Sequence, residues 1–263
     1  MLGIGVTTRN RSQVLEWCLK HFLAFPPSTV YEMVIVDDCS DSGHREANEL
    51  CVSKAQFTYI FNHKRKGIAG SKNVCLRALK HCEHVFLFDD DCYPQLSKWD
   101  TLFINLSNEY NIGHSSFLIF LGKTHNKLLS SKLPEHTLID QKIEFKSGYN
   151  VFNGGQGMCL FFTRKCLDAV QEYDENFGIY GYEHSDISNR ARSAGFCGNE
   201  ETPYITPLDV EKYLYSLDFD HGWFSKQTSL GKVDFVFSSS IQPDEPIKEY
   251  LKISSKNYNN KTF

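Results

Sequence analysis

From residue 2 to residue 88 the chain alternates between two hydrophobic patterns, and that alternation narrows the folds open to it. "LGIGVTT" (2–8), "YEMVIVDD" (31–38), "FTYIF" (57–61) and "HVFLF" (84–88) are short and almost continuously apolar. The segments between them place apolar residues at helical spacing. In 11–25 these are Val14, Leu15, Cys18, Leu19 and Phe22, and the pattern stops at Pro26–Pro27. Residues 43–54 read as a second helix, and 69–82 put Val74, Leu76, Ala78 and Leu79 on an inner face. A strand that is apolar on both faces must be covered above and below. Alternating helices supply that cover, so the pattern predicts an α/β fold with a mostly parallel sheet between helices.

A length of 263 residues fits one large α/β domain or two small ones. With no internal repeat and no linker, the expectation is one domain over 1–235, in two halves (1–100 and 115–235), and a polar tail over 236–263. In the second half, 115–123 reads as a strand and 124–150 as a weakly patterned loop. Residues 150–174 run from a Gly-rich turn through a strand into a helix. Residues 180–196 form a turn and then a helix, with Gly195 as its C-cap.

A formal net charge of -4 gives no basic face for nucleic acid. No apolar run is long enough to span a membrane, and the N-terminus lacks the basic start of a signal peptide. Nine scattered cysteines without C-x-x-C spacing suggest reduced thiols, hence a cytoplasmic protein.

In parallel sheets, ligands bind beyond the carboxyl ends of the strands. Those ends carry Thr7, Thr8, Arg9 and Asn10, then Asp37 and Asp38, then Asp89, Asp90 and Asp91. A dinucleotide fingerprint is absent, because Gly3 and Gly5 lie inside the first strand. No P-loop occurs either. At D-x-D spacing, Asp89 and Asp91 lie on one side of an extended segment. Hard oxygen ligands of that kind suit Mg²⁺ or Mn²⁺ carrying a diphosphate, and the metal would offset their mutual repulsion. The plainer reading is an acidic cap on the next helix.

Three ordered motifs add to this. "VIVDDCSD" (34–41), "KGIAGSKNVCLRAL" (66–79) and "FLFDDDCYP" (86–94) resemble segments of GT-A fold glycosyltransferases of family 2. The resemblance implies a nucleotide-sugar-binding half over 1–100 and an acceptor half over 115–235. It implies that Asp38 reads the nucleobase and that Thr7 and Arg9 line the base and ribose pocket. Arg9 pairing with Asp37 or Asp38 is the competing reading. Lys72, where the family usually has Arg, would lie near the nucleotide. Asp91 would hold the metal, and Asp89 the metal or the ribose. Asp90 belongs to the same nucleotide-sugar cluster but should point the other way, into backbone or capping contacts.

Residues 153–196 resemble the galactosyltransferase-type segment that runs from a G-G turn to "GWGxEDxDLxxR". Here Glu183–His184 stands where Glu–Asp is usual, followed by Asp186. His184, Glu183 and Asp186 are therefore the candidates for the base that takes the acceptor proton, with His184 slightly favoured. The likeness also implies a distant His as third metal ligand, and His221, with Asp218 and Asp220 beside it, fits that role. Tyr182 and Trp223 would suit the face of an acceptor sugar. Gly154 and Gly155 would let the backbone approach a sugar or diphosphate.

Taken together, these features predict an inverting, metal-dependent enzyme. It would move a hexose, galactose or N-acetylgalactosamine, from a UDP-linked donor to a glycan hydroxyl in surface polysaccharide synthesis. Residues 124–150 would form an acceptor loop. The rivals are a nucleotidyltransferase and a non-catalytic glycan- or nucleotide-binding module.

Overall fold

The computed structural model describes residues 1–118, 143–152, 154–179 and 181–216, and the strands at 224–227 and 233–236. The first half runs β1 (Leu2–Thr8), α1 (Ser12–Ala24), β2 (Tyr31–Asp37), α2 (Ser42–Lys54), β3 (Thr58–Phe61), α3 (Gly67–Ala78), β4 (His84–Asp89), β5 (Cys92–Pro94) and α4 (Asp100–Tyr110). The second runs β6 (His114–Ser116), β7 (Ile143–Phe145), β8 (Tyr149–Phe152), β9 (Cys159–Thr163), α5 (Arg164–Val170), α6 (Glu183–Ser193), β10 (Tyr204–Pro207) and β11 (Leu214–Ser216). The main sheet has the order β3-β2-β1-β4-β9-β6. Its first four strands are parallel, β9 runs antiparallel to β4, and β6 runs antiparallel to β9. This is the mostly parallel α/β sheet that the alternation predicts.

Close packing of α3 on β1 explains the strand glycines. A Cβ on Gly5 would stand 2.7 Å from Cys75 Cβ, and one on Gly3 would stand 3.0 Å from Cys82 Sγ. These glycines serve helix packing, not phosphate binding. The opposite layer is aromatic: Phe86 meets Trp99 at 4.8 Å and Phe103 at 5.0 Å, edge to face. Seven of the nine cysteines are buried, and all nine are free thiols, as expected of small core residues.

Several elements differ from the sequence expectation. Helix α4 is an addition to it. The first residue of α4, Asp100, is buried and accepts the N–H groups of Ser28 (2.8 Å) and Thr29 (3.1 Å), which ties the helix to the loop before β2. The stretch 124–150 is not all loop: β8 lies between β7 and β10 in a three-stranded antiparallel sheet. Of the strand expected over 115–123, residues 115–116 lie in β6, and 117–118 follow it outside any strand. Gly195 takes φ 83° just past the end of α6, in keeping with the cap expected there.

The chain divides into two compact units, Met1–Ser216 and Leu217–Phe263. The second unit contains an antiparallel pair, β12 (Phe224–Gln227) and β13 (Val233–Val236). Among the described residues no helix is long and apolar enough to cross a membrane.

One buried group makes the fold sensitive to acid. His114 is fully buried, with Nδ1 3.0 Å from the Phe161 carbonyl and Nε2 2.8 Å from Ser188 Oγ. The carbonyl can only accept, so Nδ1 donates and Nε2 accepts from the serine. Burial pushes the imidazole down to about 4. A folded value below the unfolded one, about 6.5, favours the fold while the ring is neutral. That contribution is present above about pH 6.5 and is lost as pH falls toward 4. It amounts to about 3 kcal/mol. Urea unfolding at pH 7.5 and 4.5 should show this loss in the native sequence and a much smaller one in His114→Asn. Equal pH dependence in both would exclude His114 as the cause.

Candidate active site

Strand register brings the polar residues level. Thr8 lies opposite Asp37 across β1 and β2, and Thr7 lies opposite Asp89 across β1 and β4. The chain crosses from β1 to β2 on one side and returns to β4 on the other. The residues after these strands therefore surround a topological switch point, where open α/β sheets bind ligands.

The two acids after β2 have different roles. Asp37 is buried, and its carboxylate accepts Ser40 N–H (2.8 Å), Asn48 Nδ2 (2.7 Å) and Tyr59 Oη (2.8 Å). It holds the corner between β2, α2 and β3. Asp38 accepts Asn62 Nδ2 (3.2 Å) and Lys66 N–H (2.7 Å) on Oδ1, and Gly67 N–H (2.9 Å) on Oδ2. It thus caps α3 from another strand and keeps one lone pair unused. Arg9 is half-buried and forms no ion pair with either acid among the described residues; Thr7 is half-buried within β1.

The acid triplet has its counter-charges. Arg11 reaches Asp90 Oδ1 at 3.0 Å with one nitrogen and Asp91 Oδ2 at 2.9 Å with another. Thr8 Oγ1 donates to Asp90 Oδ2 at 2.6 Å. Asp90 therefore turns into the protein, and Asp91, held by the same guanidinium, is buried beside it. Burial raises its carboxyl, while Arg11 and Thr8 pull it back. Lys72, at 1% side-chain exposure, pairs with Asp89 Oδ1 at 3.1 Å and donates to the Gly157 carbonyl at 2.8 Å. Burial also raises Asp89; Lys72 opposes this, and the charge of Asp91 adds to it. Arg11 is the residue that sequence reasoning missed. It stands at the N-cap of α1, and its basic charge just past the first strand was the only signal.

Asp89 and Asp91 fit a divalent cation. Both are hard oxygen donors, and they repel each other. Asp89 Oδ2 and Asp91 Oδ1 have no partner among the described residues. His221, the expected third ligand, lies outside the described residues, as do Asp218, Asp220 and Trp223.

Lys72 also joins the triplet to the second half. The turn that supplies its carbonyl partner packs under α6: a Cβ on Gly157 would stand 3.0 Å from His184 Cβ. One on Gly155 would stand 2.0 Å from the Tyr204 ring, whose hydroxyl donates to Ser185 Oγ at 3.2 Å. Packing alone thus accounts for Gly155. Glu183, first in α6, is buried and accepts Gly181 N–H at 3.0 Å. His184 Nδ1 lies 3.6 Å from its other oxygen. Burial would raise Glu183, but the imidazole of His184 and the ammonium of Lys72 outweigh it and hold the acid at about 2. Tyr182, just before them, is 76% exposed and sits at φ 62°. Asp186 is engaged elsewhere. Its Oδ2 pairs with Arg190 at 2.8 and 2.9 Å, and Arg190 also donates to the carbonyls of Val170 and Glu172. That arrangement fastens α6 to the end of α5.

Residues 4–170 match the family described as glycosyl transferase family 2. The chain belongs to that family. It is 26% identical over 187 residues to WcaA of Escherichia coli (strain K12), whose name assigns it to colanic acid biosynthesis as a glycosyl transferase. That alignment covers 66% of this chain and 64% of WcaA. Among solved structures, the mannosyltransferase PcManGT from Pyrobaculum calidifontis, in complex with GDP-Man and Mn²⁺, has a TM-score of 0.54 at 19% identity, over 75% of this chain and 53% of its own. S. aureus TarS 1–349 in complex with UDP gives 0.54 at 16%, over 72% and 54%. GalNAc-T7 with UDP, GalNAc and Mn²⁺ gives 0.54 at 13%, over 73% and 40%. The family 2 chain thus spans about half the length of these structures or less, and 64% of WcaA. At such identities the shared property is the GT-A type α/β fold.

Proposed function

We propose that this family 2 domain is an inverting, metal-dependent glycosyltransferase that moves a hexose from a UDP-linked donor to a glycan hydroxyl in surface polysaccharide synthesis. The carrying observation is Lys72, whose buried ammonium joins Asp89 of the acid triplet to the turn beneath His184. It links a donor-side carboxylate pair to an acid–imidazole pair, the two parts that a single displacement needs. The name of WcaA supports a polysaccharide pathway. The segment from 153 to 196 supports galactose or N-acetylgalactosamine.

Asp89 and Asp91 would hold the divalent cation, which neutralises charge on the leaving diphosphate when bound. Lys72 opposes the effect of burial on Asp89 and holds its carboxylate in place. At about 2, Glu183 is a poor proton acceptor but a permanent anion. Beside Nδ1 of His184 it suits an orienting role, which leaves Nε2 to take the proton of the acceptor hydroxyl. The exposed Tyr182 offers its ring to the acceptor sugar. Asp186 is left to anchor the helix through Arg190.

Thermal unfolding with UDP, GDP or dTDP, each with Mn²⁺, Mg²⁺ or EDTA, tests the donor side. A nucleotide at a hundred times its dissociation constant should add about 2.7 kcal/mol of stability, and EDTA should remove most of it. His184→Ala should keep this shift and lose transfer by about a hundredfold or more. A folded protein that no nucleotide stabilises would end this reading.

A further inference from the structure

At the end of the sheet opposite the acid triplet, three side chains of different chemistry converge. His81 Nε2 lies 2.8 Å from Glu32 Oε1, and the Cys82 thiol donates to the same oxygen at 3.2 Å. One ligand atom from each of these residues falls within 4.8 Å of the other two. Glu32 sits near the start of β2, and His81 and Cys82 lie between α3 and β4. β1 runs between those strands, with Gly3 level with Glu32 on one side and with Val85 on the other. A Cβ on Gly3 would stand 3.0 Å from Cys82 Sγ, so the glycine leaves the gap in which thiol and carboxylate meet across β1. The turn that carries the imidazole and the thiol is held by the protein itself. Arg164 donates to the carbonyls of Leu79 (2.8 Å) and Cys82 (3.0 Å), and Glu83 N–H donates to the Met1 carbonyl at 3.0 Å. From His84 to Asp89 the extended chain covers roughly 16 Å, so this cluster is separate from the acid triplet.

We infer that Glu32, His81 and Cys82 bind one zinc ion, which staples the start of β2 to the turn before β4. A thiolate, an imidazole and a carboxylate suit Zn²⁺, whereas Mg²⁺ and Ca²⁺ take oxygen ligands. Tetrahedral zinc, with bonds of about 2.0–2.3 Å, sets its ligands roughly 3.3–3.7 Å apart. The contacts of His81 and Cys82 with Glu32 need to widen by only about half an ångström to admit it. The His81 and Glu32 side chains are 50% and 35% exposed and can make that move, while the buried Cys82 stays in place. The thiol proton leaves to solvent as the metal–sulfur bond forms, and the imidazole keeps its proton on Nδ1. One carboxylate and one thiolate then cancel the charge of the ion, so the site carries no net charge into the protein. A water completes the four ligands. A plain Glu32–His81 ion pair would need no third group; the cysteine makes the set selective for a thiophilic metal. The inference stands apart from the proposed function, because no residue of the acid triplet takes part in it.

Co²⁺ titration of the reduced, metal-free full chain in excess Mg²⁺ tests this, since Mg²⁺ fills oxygen sites and leaves thiolates alone. One Co²⁺ per chain should give a thiolate-to-cobalt charge-transfer band, which Zn²⁺ displaces. His81→Ala and Glu32→Gln should each weaken Co²⁺ by at least about tenfold, and Cys82→Ser should abolish the band. Cys82 is a core residue; if its variant does not fold, the two surface variants decide. Zn²⁺ in excess Mg²⁺ should raise the unfolding midpoint of the native sequence and leave that of His81→Ala unchanged. A native chain that gives no sulfur band would overturn the inference and reduce the cluster to an ion pair with a thiol hydrogen bond. A band that survives in Cys82→Ser, or is unaffected in both His81→Ala and Glu32→Gln, would overturn it by placing the metal on another cysteine. Equal rises in midpoint for the native sequence and His81→Ala would overturn the staple.

Discussion

Lys72→Met should destabilise the family 2 domain by about 3 kcal/mol and abolish transfer. Removing one partner of a buried ion pair strands the other, at a cost of about 3–5 kcal/mol. The lower end applies here because Asp89 keeps 32% side-chain exposure and part of its hydration. Two carboxylates lose a shared cation in this variant: Asp89 directly, and Glu183 through the loss of a nearby positive charge. The Gly157 carbonyl also loses its donor. The effect carries a pH signature. Burial already raises Asp89, and without Lys72 its carboxyl rises further, so it takes up a proton as pH falls. The stability gap between variant and native sequence should therefore be largest at pH 8 and narrower at pH 5. Urea unfolding at both values measures it. A gap under about 1 kcal/mol, or one that does not change with pH, would mean that the ion pair does not hold the junction. Lys72→Arg keeps the charge but must fit a planar fork into a closed slot, so stability should be only partly retained.

The parts of this fold that the sequence disclosed are those whose hydrophobic pattern is local. β1, β2 and β4 are buried on both faces, and their apolar runs are nearly unbroken. Helix α4 also has an inner face, Asp100, Phe103 and Leu106, but it opens with a charged residue whose partners lie about seventy positions earlier. β7 is three residues long and, among the described residues, pairs with β8, which in turn pairs with β10, more than fifty residues downstream; no local period reports such a contact. The site divides in the same way. The acid triplet and the Glu183–His184 pair stand out as motifs because they are contiguous. The cation that neutralises two of the three acids, Arg11, is eighty residues away from Asp91. The commitment of Asp186 was legible: Arg190 follows it at i+4, the spacing that forms helical ion pairs. The family pattern makes the same residue a candidate base.

Gly67→Ala is expected to cost about 3 kcal/mol and to impair nucleotide binding and transfer together. Gly67 sits at φ +76°, which alanine adopts only under strain. A Cβ there would also stand 2.4 Å from the Gly178 carbonyl oxygen and 2.7 Å from Ile179 Cα, and backbone atoms cannot yield as a side chain can. The same residue donates its N–H to Asp38, and the next N–H, from Ile68, donates to the Ile179 carbonyl at 3.2 Å. The start of α3 is thus a hinge plate with Asp38 on one side and, on the other, the loop that leads into Glu183 and His184. Pushing that loop away would shift both sets of groups at once, whereas a substitution at Asp38 or His184 disturbs one. Gly43→Ala provides the control. Gly43 lies in α2, and a Cβ added to it would meet no atom within 4 Å, so alanine there should stabilise by about 0.5–1 kcal/mol through helix propensity. Urea midpoints for both variants, with UDP affinity and transfer rate for Gly67→Ala, decide the matter. A Gly67→Ala protein as stable as Gly43→Ala would show that the loop does not rest on α3 in this way. One that loses stability but keeps native UDP affinity and transfer rate would show that the contact holds the fold without aligning the site.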